Sequence, residues 1–113
     1  MKTSEILAMA RALIANEKHW CQGSYAARAS GGFTDALDPE ATQWCALGAC
    51  IKVTGGMEGR WNMARNALYA ARRAGELSVV RVNDKLGHAA VMHLYDKAIE
   101  MAIAEELINE ESE

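Results

Sequence analysis

Alanine fills 21 of the 113 positions of this chain, whereas proline and phenylalanine each occur once. Alanine has the highest helix propensity of all residues, while aromatic and β-branched residues are the ones that favour strands. The length fits one domain, and a hydrophobic content of 50% is sufficient for a core. We therefore expect an all-α fold in a single domain over residues 1–113, with a minor two-stranded β-ribbon at most.

Apolar spacing and capping residues predict a compact arrangement of four helices. The first helix has Thr3 as its N-cap and extends to about Lys18. The second helix has the clearest start, because Asp38 suits an N-cap and Pro39 suits the first helical position. Glutamates oppose the helix dipole at a C-terminus, so an acidic, frayed tail is expected from about residue 106. The two remaining helices are expected over about residues 57–74 and 84–108.

The connection over residues 19–37 lacks a helical pattern and contains glycine at positions 23, 31 and 32. A loop of this length is unusual in a compact domain, which makes it a candidate for function. Within it, Tyr25 to Ala29 is long enough for one short strand. The expected partner strand is Leu77 to Val82, the one β-branched run of the chain.

Cys45 is the first candidate for chemistry. A cysteine-dependent enzyme would pair its thiol with His88 and Asp84 in a Cys-His-Asp arrangement. The predicted second helix, however, places Cys45 about two turns inside the helix, among apolar neighbours that raise a thiol pKa. We therefore favour a buried core residue, and the catalytic set Cys45, His88 and Asp84 is the alternative.

Three cysteines and three histidines are also potential metal ligands, but their spacings do not match the paired ligands of structural zinc sites. The glycine motifs that bind phosphate or dinucleotides do not occur in the sequence either. The sequence therefore predicts no metal and no cofactor. The residues considered as metal ligands are His19, Cys21, Cys45, Cys50, His88 and His93.

The cysteine count and the apolar pattern bear on the compartment. An odd number of cysteines argues against a disulfide framework. The sequence shows no signal-peptide pattern and no apolar window of membrane-spanning length. We expect a cytoplasmic protein, without membrane contact.

The predicted third helix carries the most distinctive surface, and a solvated helix face is its plainest interpretation. Arginine and aromatic residues are also the preferred anchors of protein interfaces, and arginine suits nucleic-acid backbones. Because the formal net charge is −3, we favour a protein partner over nucleic acid. The candidate partner-binding residues are Arg60, Trp61, Arg65, Tyr69, Arg72 and Arg73.

The predicted last helix has an extra apolar ridge, which consists of Met92, Ile99 and Ile103. A ridge of this kind can be buried against a second copy of the chain. A homodimer is therefore compatible with the sequence.

Several short segments occur in a characteristic order: Trp20 with Gly23, Asp38-Pro39, Cys45-Ala46 with Gly48-Ala49, Val82-Asn83-Asp84 and an alanine-rich last helix. In this order they resemble an uncharacterised family of small bacterial and phage proteins, domain of unknown function 6197. The resemblance covers about residues 4–104, and it implies a bacterial or phage setting. It implies no mechanism, because the family has no established activity. The arginine-rich stretch over residues 55–75 departs from the family pattern.

Taken together, these features favour a small non-enzymatic accessory protein that binds a macromolecular partner, for example an inhibitor of a host defence complex. The alternatives are a cysteine-dependent enzyme that uses Cys45 and His88, and a weak nucleic-acid binder that uses the arginines.

Overall fold

The structure, a computed structural model, describes residues 1–72 and 78–111. Within these residues the chain is mostly helical, with one small antiparallel sheet. The helices are α1 (Thr3–Leu13), α2 (Ala46–Thr54), α3 (Glu58–Ala70), the short α4 (Val79–Arg81) and α5 (His88–Glu111). The strands are β1 (Ala26–Arg28), β2 (Phe33–Thr34) and β3 (Ala41–Trp44). A 3-10 turn covers Glu17–His19, and a π-helical segment, Val82–Leu86, precedes α5.

The four longer helices pack around one core, in which α1 contacts α2, α3 and α5. Ile6 and Leu7 of α1 are fully buried there. Tyr95 of α5 is also fully buried, and its hydroxyl donates to the carbonyl oxygen of Ala46 at the start of α2. All residues from Ala46 to Cys50 are buried, so α2 is the central helix that its apolar sequence predicts.

The sheet has the order β2-β1-β3, and both of its pairings are antiparallel. The predicted strand over Tyr25 to Ala29 is confirmed by β1, but its predicted partner is wrong. Instead of pairing with β1, Val79–Arg81 forms a helical turn, in which the Ser78 side chain accepts a hydrogen bond from the Arg81 N–H. Leu77, at the start of the predicted partner, lies outside the described residues.

The pairing of β1 with β2 rests on a tight turn. Gly31 has a φ of 93°, a left-handed conformation that favours glycine. The Arg28 N–H donates to the carbonyl oxygen of Gly32 at 2.9 Å. Closing this short loop costs less chain entropy than joining two distant segments. The strand therefore pairs locally, and the sheet has three strands where two were expected.

The predicted start of the second helix at Asp38 is wrong, because Ala41–Trp44 is strand β3 and α2 begins at Ala46. Asp38 does accept the bond from the Glu40 N–H that an N-cap would accept, at 2.9 Å. Here the bond closes a turn of the chain, and Arg28 contacts the second carboxylate oxygen at 2.8 Å. Both local structures use the same bond, so the sequence alone did not distinguish them.

The ends of three helices also differ from the prediction. The first and third helices end earlier, at Leu13 and Ala70, and the N-cap of α1 is Lys2 instead of Thr3. The last helix ends later, at Glu111. Its final turns lie beside the start of α1, where the Ser4 hydroxyl donates to Glu106 and Lys2 pairs with Glu110 at 2.9 Å. These contacts hold glutamates at a helix end that the dipole disfavours.

Candidate functional site

Cys45 is the N-cap residue of α2, and the predicted position two turns inside a helix is wrong. Its Sγ accepts a hydrogen bond from the Gly48 N–H at 3.2 Å, as the oxygen of a usual N-cap residue does. Its own N–H donates to the carbonyl oxygen of Tyr25 at 3.1 Å. A helix N-terminus is a position where a thiol pKa can be lowered.

Burial outweighs this effect at Cys45. Desolvation raises the pKa of the Cys45 thiol, backbone N–H groups of α2 lower it in part, and the Asp84 carboxylate raises it further. Burial also raises the pKa of Cys21 and Cys50 to about 12. Cys45 is therefore a protonated thiol at neutral pH, which is a weak nucleophile.

A cavity of about 240 Å³, here called the α2 cavity, opens beside Cys45. Its walls are mainly apolar, and Asp84 adds a carboxylate to them. Tyr25 and Val80, which also line the cavity, are nearly half exposed. The α2 cavity thus has the composition of a small ligand site, although it is smaller than most such sites.

His88 lies elsewhere: in the part of the chain that the structure describes, no histidine lines the α2 cavity. The His88 Nε2 lies 2.7 Å from the carbonyl oxygen of Ile14, and its ring meets Trp20 edge-on with centroids 5.4 Å apart. Because a carbonyl oxygen only accepts hydrogen bonds, Nε2 carries the proton. The structure brings Cys45 and Asp84 to one cavity but leaves the thiol without its proposed base.

Asn83, which is 1% exposed, connects the elements around the α2 cavity. Its Oδ1 accepts from Trp20 Nε1 at 2.7 Å and from the Ala46 N–H at 2.9 Å. Its Nδ2 donates to the carbonyl oxygen of Cys21 and to Oδ1 of Asp84, both at 3.0 Å. All donors and acceptors of the side chain are used. This Asn83 network ties the loop after α1 to the start of α2.

A close backbone contact completes this region. A Cβ atom placed on Gly48 would lie 1.9 Å from the carbonyl oxygen of Tyr25, far inside any real contact. The same carbonyl oxygen accepts the hydrogen bond from Cys45. Only glycine lets α2 approach the chain before β1 this closely.

The second candidate site lies on α3, where Trp61, Arg65 and Tyr69 fall within an arc of about 80° at 100° per residue. Trp61 and Tyr69 are partly buried against the core, and Arg65 is exposed. Arg72, just past the helix end, places its guanidinium 4.6 Å from the centroid of the Tyr69 ring and donates to the Tyr69 carbonyl oxygen at 3.0 Å. We call these four residues the arginine stripe.

Arg60, one of the predicted partner-binding residues, is not part of the arginine stripe. Arg60 points about 100° away from Trp61 around the helix axis, and it contacts Sδ of Met57 at 3.8 Å. Arg60 therefore lies on a different face of α3 from Arg65. Arg73 lies outside the described residues.

The geometry also explains the sequence pattern noted above. Trp20, Gly23, Cys45, Gly48 and Asn83 all belong to the α2 cavity or to the contacts around it. The sequence matches the Family of unknown function (DUF6197) over residues 1–101.

The chain belongs to this family. No curated protein and no solved structure matches the chain. The DUF6197 match confirms the resemblance, but it brings no activity with it.

For this DUF6197 protein, sequence reasoning missed the role of Asn83. The residue was visible as the middle of Val82-Asn83-Asp84, but nothing in the sequence connected it to Trp20 or to Ala46. A buried asparagine becomes recognisable only when its four hydrogen bonds are seen. The signal that could have drawn attention to it is an Asn-Asp pair directly after an apolar run.

Two kinds of feature are absent from the described residues of this DUF6197 protein. Over residues 1–72 and 78–111, no three histidine, cysteine, aspartate or glutamate side chains are grouped to bind a metal ion. Nor does any helix in those ranges combine the length and the apolar content that crossing a bilayer requires.

Proposed function

We propose that this DUF6197 protein is a non-enzymatic binding protein that contacts an acidic surface of a protein partner through the arginine stripe. The observation that carries the proposal is the arrangement of the stripe itself. An exposed arginine, Arg65, lies between two aromatic side chains that the core holds in place. This combination is typical of the residues that dominate binding energies at interfaces.

The second arginine of the stripe is held in position before any partner arrives. Arg72 stacks on the Tyr69 ring and bonds to the Tyr69 carbonyl oxygen, which restricts its rotamers. A side chain that is already ordered loses less entropy when it binds. A planar guanidinium can donate two N–H groups to one carboxylate, and the Arg65 side chain between the two rings is exposed. The stripe is therefore suited to acidic side chains of a partner.

The charge of the whole molecule favours a protein over nucleic acid. The formal net charge is −3, and the last turns of α5 carry several glutamates. A nucleic acid carries negative charge along its whole length and would also meet these glutamates, whereas a protein can confine its acidic residues to a patch the size of the stripe. Nucleic-acid binding is therefore the alternative, which the crosslinking experiment also detects.

The proposed setting is the bacterial cytoplasm, where free thiols stay reduced. Cys21, Cys45 and Cys50 are all free and buried, so none is available for a disulfide on the surface. An inhibitor of a host defence complex is one concrete form of such a binding protein. The resemblance to this family implies a bacterial or phage setting, and that setting supports a role as such an inhibitor.

The test places a photo-crosslinking amino acid at position 65 of the full chain, with position 81 as the matched control. Arg81 is also an exposed arginine, but it lies on α4. Crosslinking in bacterial lysate identifies the partner, and titration with the purified partner then gives Kd. We expect a protein crosslinked at position 65 alone. Arg65→Ala should weaken its binding by about 10-fold or more, and Arg81→Ala by less than about 2-fold.

Three outcomes contradict the proposal. One is a pattern of crosslinks that is the same at positions 65 and 81. Another is a partner whose Kd responds equally to Arg65→Ala and Arg81→Ala. The third is RNA or DNA in the crosslinked fraction with an affinity that falls steeply with salt, which would establish the nucleic-acid alternative.

A further inference from the structure

A groove of about 610 Å³ lies between α3 and the C-terminal half of α5. Its wall is mainly apolar, and small side chains make up much of it. Two methionines add flexible apolar side chains, which adapt readily to a partner surface. The residues that define this α3–α5 groove are Met63, Ala67, Ala70, Ala98, Met101 and Ala102.

The methionines of the groove are open to solvent, as is one further apolar residue of α5. Met63 is 51% exposed and Met101 is 42% exposed. Ile108, about 20° from Met101 around the α5 axis, is 65% exposed. Polar residues of α1, α3 and α5 also line the groove, but a mainly apolar groove with exposed apolar residues at its edge is typical of an interaction site.

This face is not the ridge that the sequence predicted. Met92 and Ile99 pack against the core of their own chain, and of the predicted ridge only Ile103 is exposed. That ridge stays a prediction, and it lies apart from the groove. The groove lies on a different side of α5, since Ile103 is about 160° away from Met101 around the axis.

Charges on α5 indicate what could occupy the groove. Lys97 and Glu105 are exposed, and each is four residues from Met101, one on either side. At 100° per residue both lie within about 40° of Met101, on the same side of the helix. If a second α5 runs antiparallel and crosses at Met101, Lys97 of each copy faces Glu105 of the other. The surface is therefore complementary in charge to itself.

We propose that the α3–α5 groove binds a second copy of this chain through a two-fold contact. In this dimer the α5 helices are antiparallel and cross at Met101. The Met101 side chain of each copy enters the groove of the other, and two Lys97–Glu105 pairs flank the crossing. A two-fold axis turns one self-complementary surface into both halves of an interface. The proposal does not depend on the arginine stripe, which lies on another side of α3.

Charge exchange tests the geometry directly, with sedimentation velocity of the full chain as the readout. Lys97→Glu alone places two glutamates opposite each other at both ends of the crossing, and Glu105→Lys alone places two lysines there. Each single variant should weaken dimerisation by about 10-fold or more, because like charges at an interface are unfavourable. The double variant, Lys97→Glu with Glu105→Lys, restores opposite charges and should return the dimer constant to near the original value.

Lys85→Glu is the matched control, because Lys85 is exposed and lies in the π-helical segment, away from the groove. It should leave the dimer constant unchanged. Circular dichroism melting checks that each variant is folded. A chain that is monomeric at all accessible concentrations overturns the proposal. So does a dimer that tolerates the single charge changes, or one that the double variant fails to restore.

Discussion

Asn83 and Arg65 are both polar, yet they stand at opposite limits of exposure in this protein. Asn83 is 1% exposed, and all four hydrogen-bonding positions of its side chain have partners within the chain. Arg65 is exposed on α3, between two half-buried aromatic residues. A buried polar group without a partner costs free energy, so the Asn83 network stabilises the fold. An exposed arginine contributes little to folding and is available to a partner.

This difference in exposure separates the residues that hold the fold together from those that a partner can reach. The residues that form its clearest sequence pattern converge on the Asn83 network and the α2 cavity, and most of their contacts hold loops and helices together. The arginine stripe follows no such pattern, but its Arg65 side chain is exposed. Substitutions should therefore separate the two regions: those in the first unfold the protein, and those in the second change binding alone.

The largest expected effect is at Gly48, beside the α2 cavity. Gly48→Ala puts a methyl carbon 1.9 Å from the carbonyl oxygen of Tyr25, which is backbone and cannot rotate away. We expect the free energy of unfolding to fall by about 4 kcal/mol or more, measured by chemical denaturation.

The control is Gly59→Ala, at a helical glycine of α3 with no atom within 4 Å of a new Cβ. Alanine favours a helix over glycine, so this variant should gain up to about 1 kcal/mol. Equal losses at positions 48 and 59 would show that the close approach of α2 to Tyr25 is not a constraint.

The next largest effect is at Asn83 itself. Asn83→Ala leaves the Trp20 indole N–H and the Ala46 N–H without their shared acceptor in a buried place. We expect a loss of about 3 kcal/mol in the free energy of unfolding. Asn66→Ala, at an exposed asparagine of α3, should change it by less than about 0.5 kcal/mol. If Asn83→Ala lowered the free energy of unfolding by as little as Asn66→Ala, the Asn83 network would not stabilise the fold.

Acid titration gives a smaller effect, at the turn before β3. A hydrogen bond from the Thr34 hydroxyl, one from the Glu40 N–H and one from Arg28 lower the pKa of Asp38 from 3.8 to about 2. A lowered pKa stabilises the folded state above pH 4, and this contribution is lost as the pH falls from about 4 to about 2.

Asp38→Asn removes this pH-dependent contribution. The difference in unfolding free energy between the original chain and Asp38→Asn should be constant between pH 5 and pH 7 and should shrink below pH 4. Denaturation curves at several pH values measure it. A difference that stays constant down to pH 2 would refute the role of the Asp38 carboxylate in the sheet.

The smallest effect on stability is expected in the arginine stripe. Arg65→Ala removes an exposed side chain and should change the free energy of unfolding by less than about 0.5 kcal/mol. Thermal melting of the variant beside the original chain measures this. A large loss would mean that Arg65 supports the fold, and the contrast with Asn83 would disappear.

The sequence allowed the helical core to be predicted well, because apolar residues repeat at helical spacing in α1, α3 and α5. It also placed β1 correctly within the 19–37 loop. The prediction failed at Asp38, because a side chain that accepts a bond from a nearby N–H occurs both in turns and at helix starts. It therefore also failed at Cys45, which is the N-cap of α2 and not an interior residue. It failed again for the strand partner, because β-branched composition cannot show whether Val79 and Val80 belong to a strand or to a helical turn. Nor could the sequence show that, of the candidate catalytic set, only Cys45 and Asp84 line the same cavity.

The sequence by itself determined that the chain is mostly helical and that Cys45 is buried, because both follow from local propensity and apolar pattern. It also determined membership of the DUF6197 family. Only the tertiary structure decided that Asn83 joins Trp20, Cys21 and α2, and that α3 and α5 leave a groove between them. Contacts between residues far apart in sequence depend on how the whole core packs, and no local pattern contains that information.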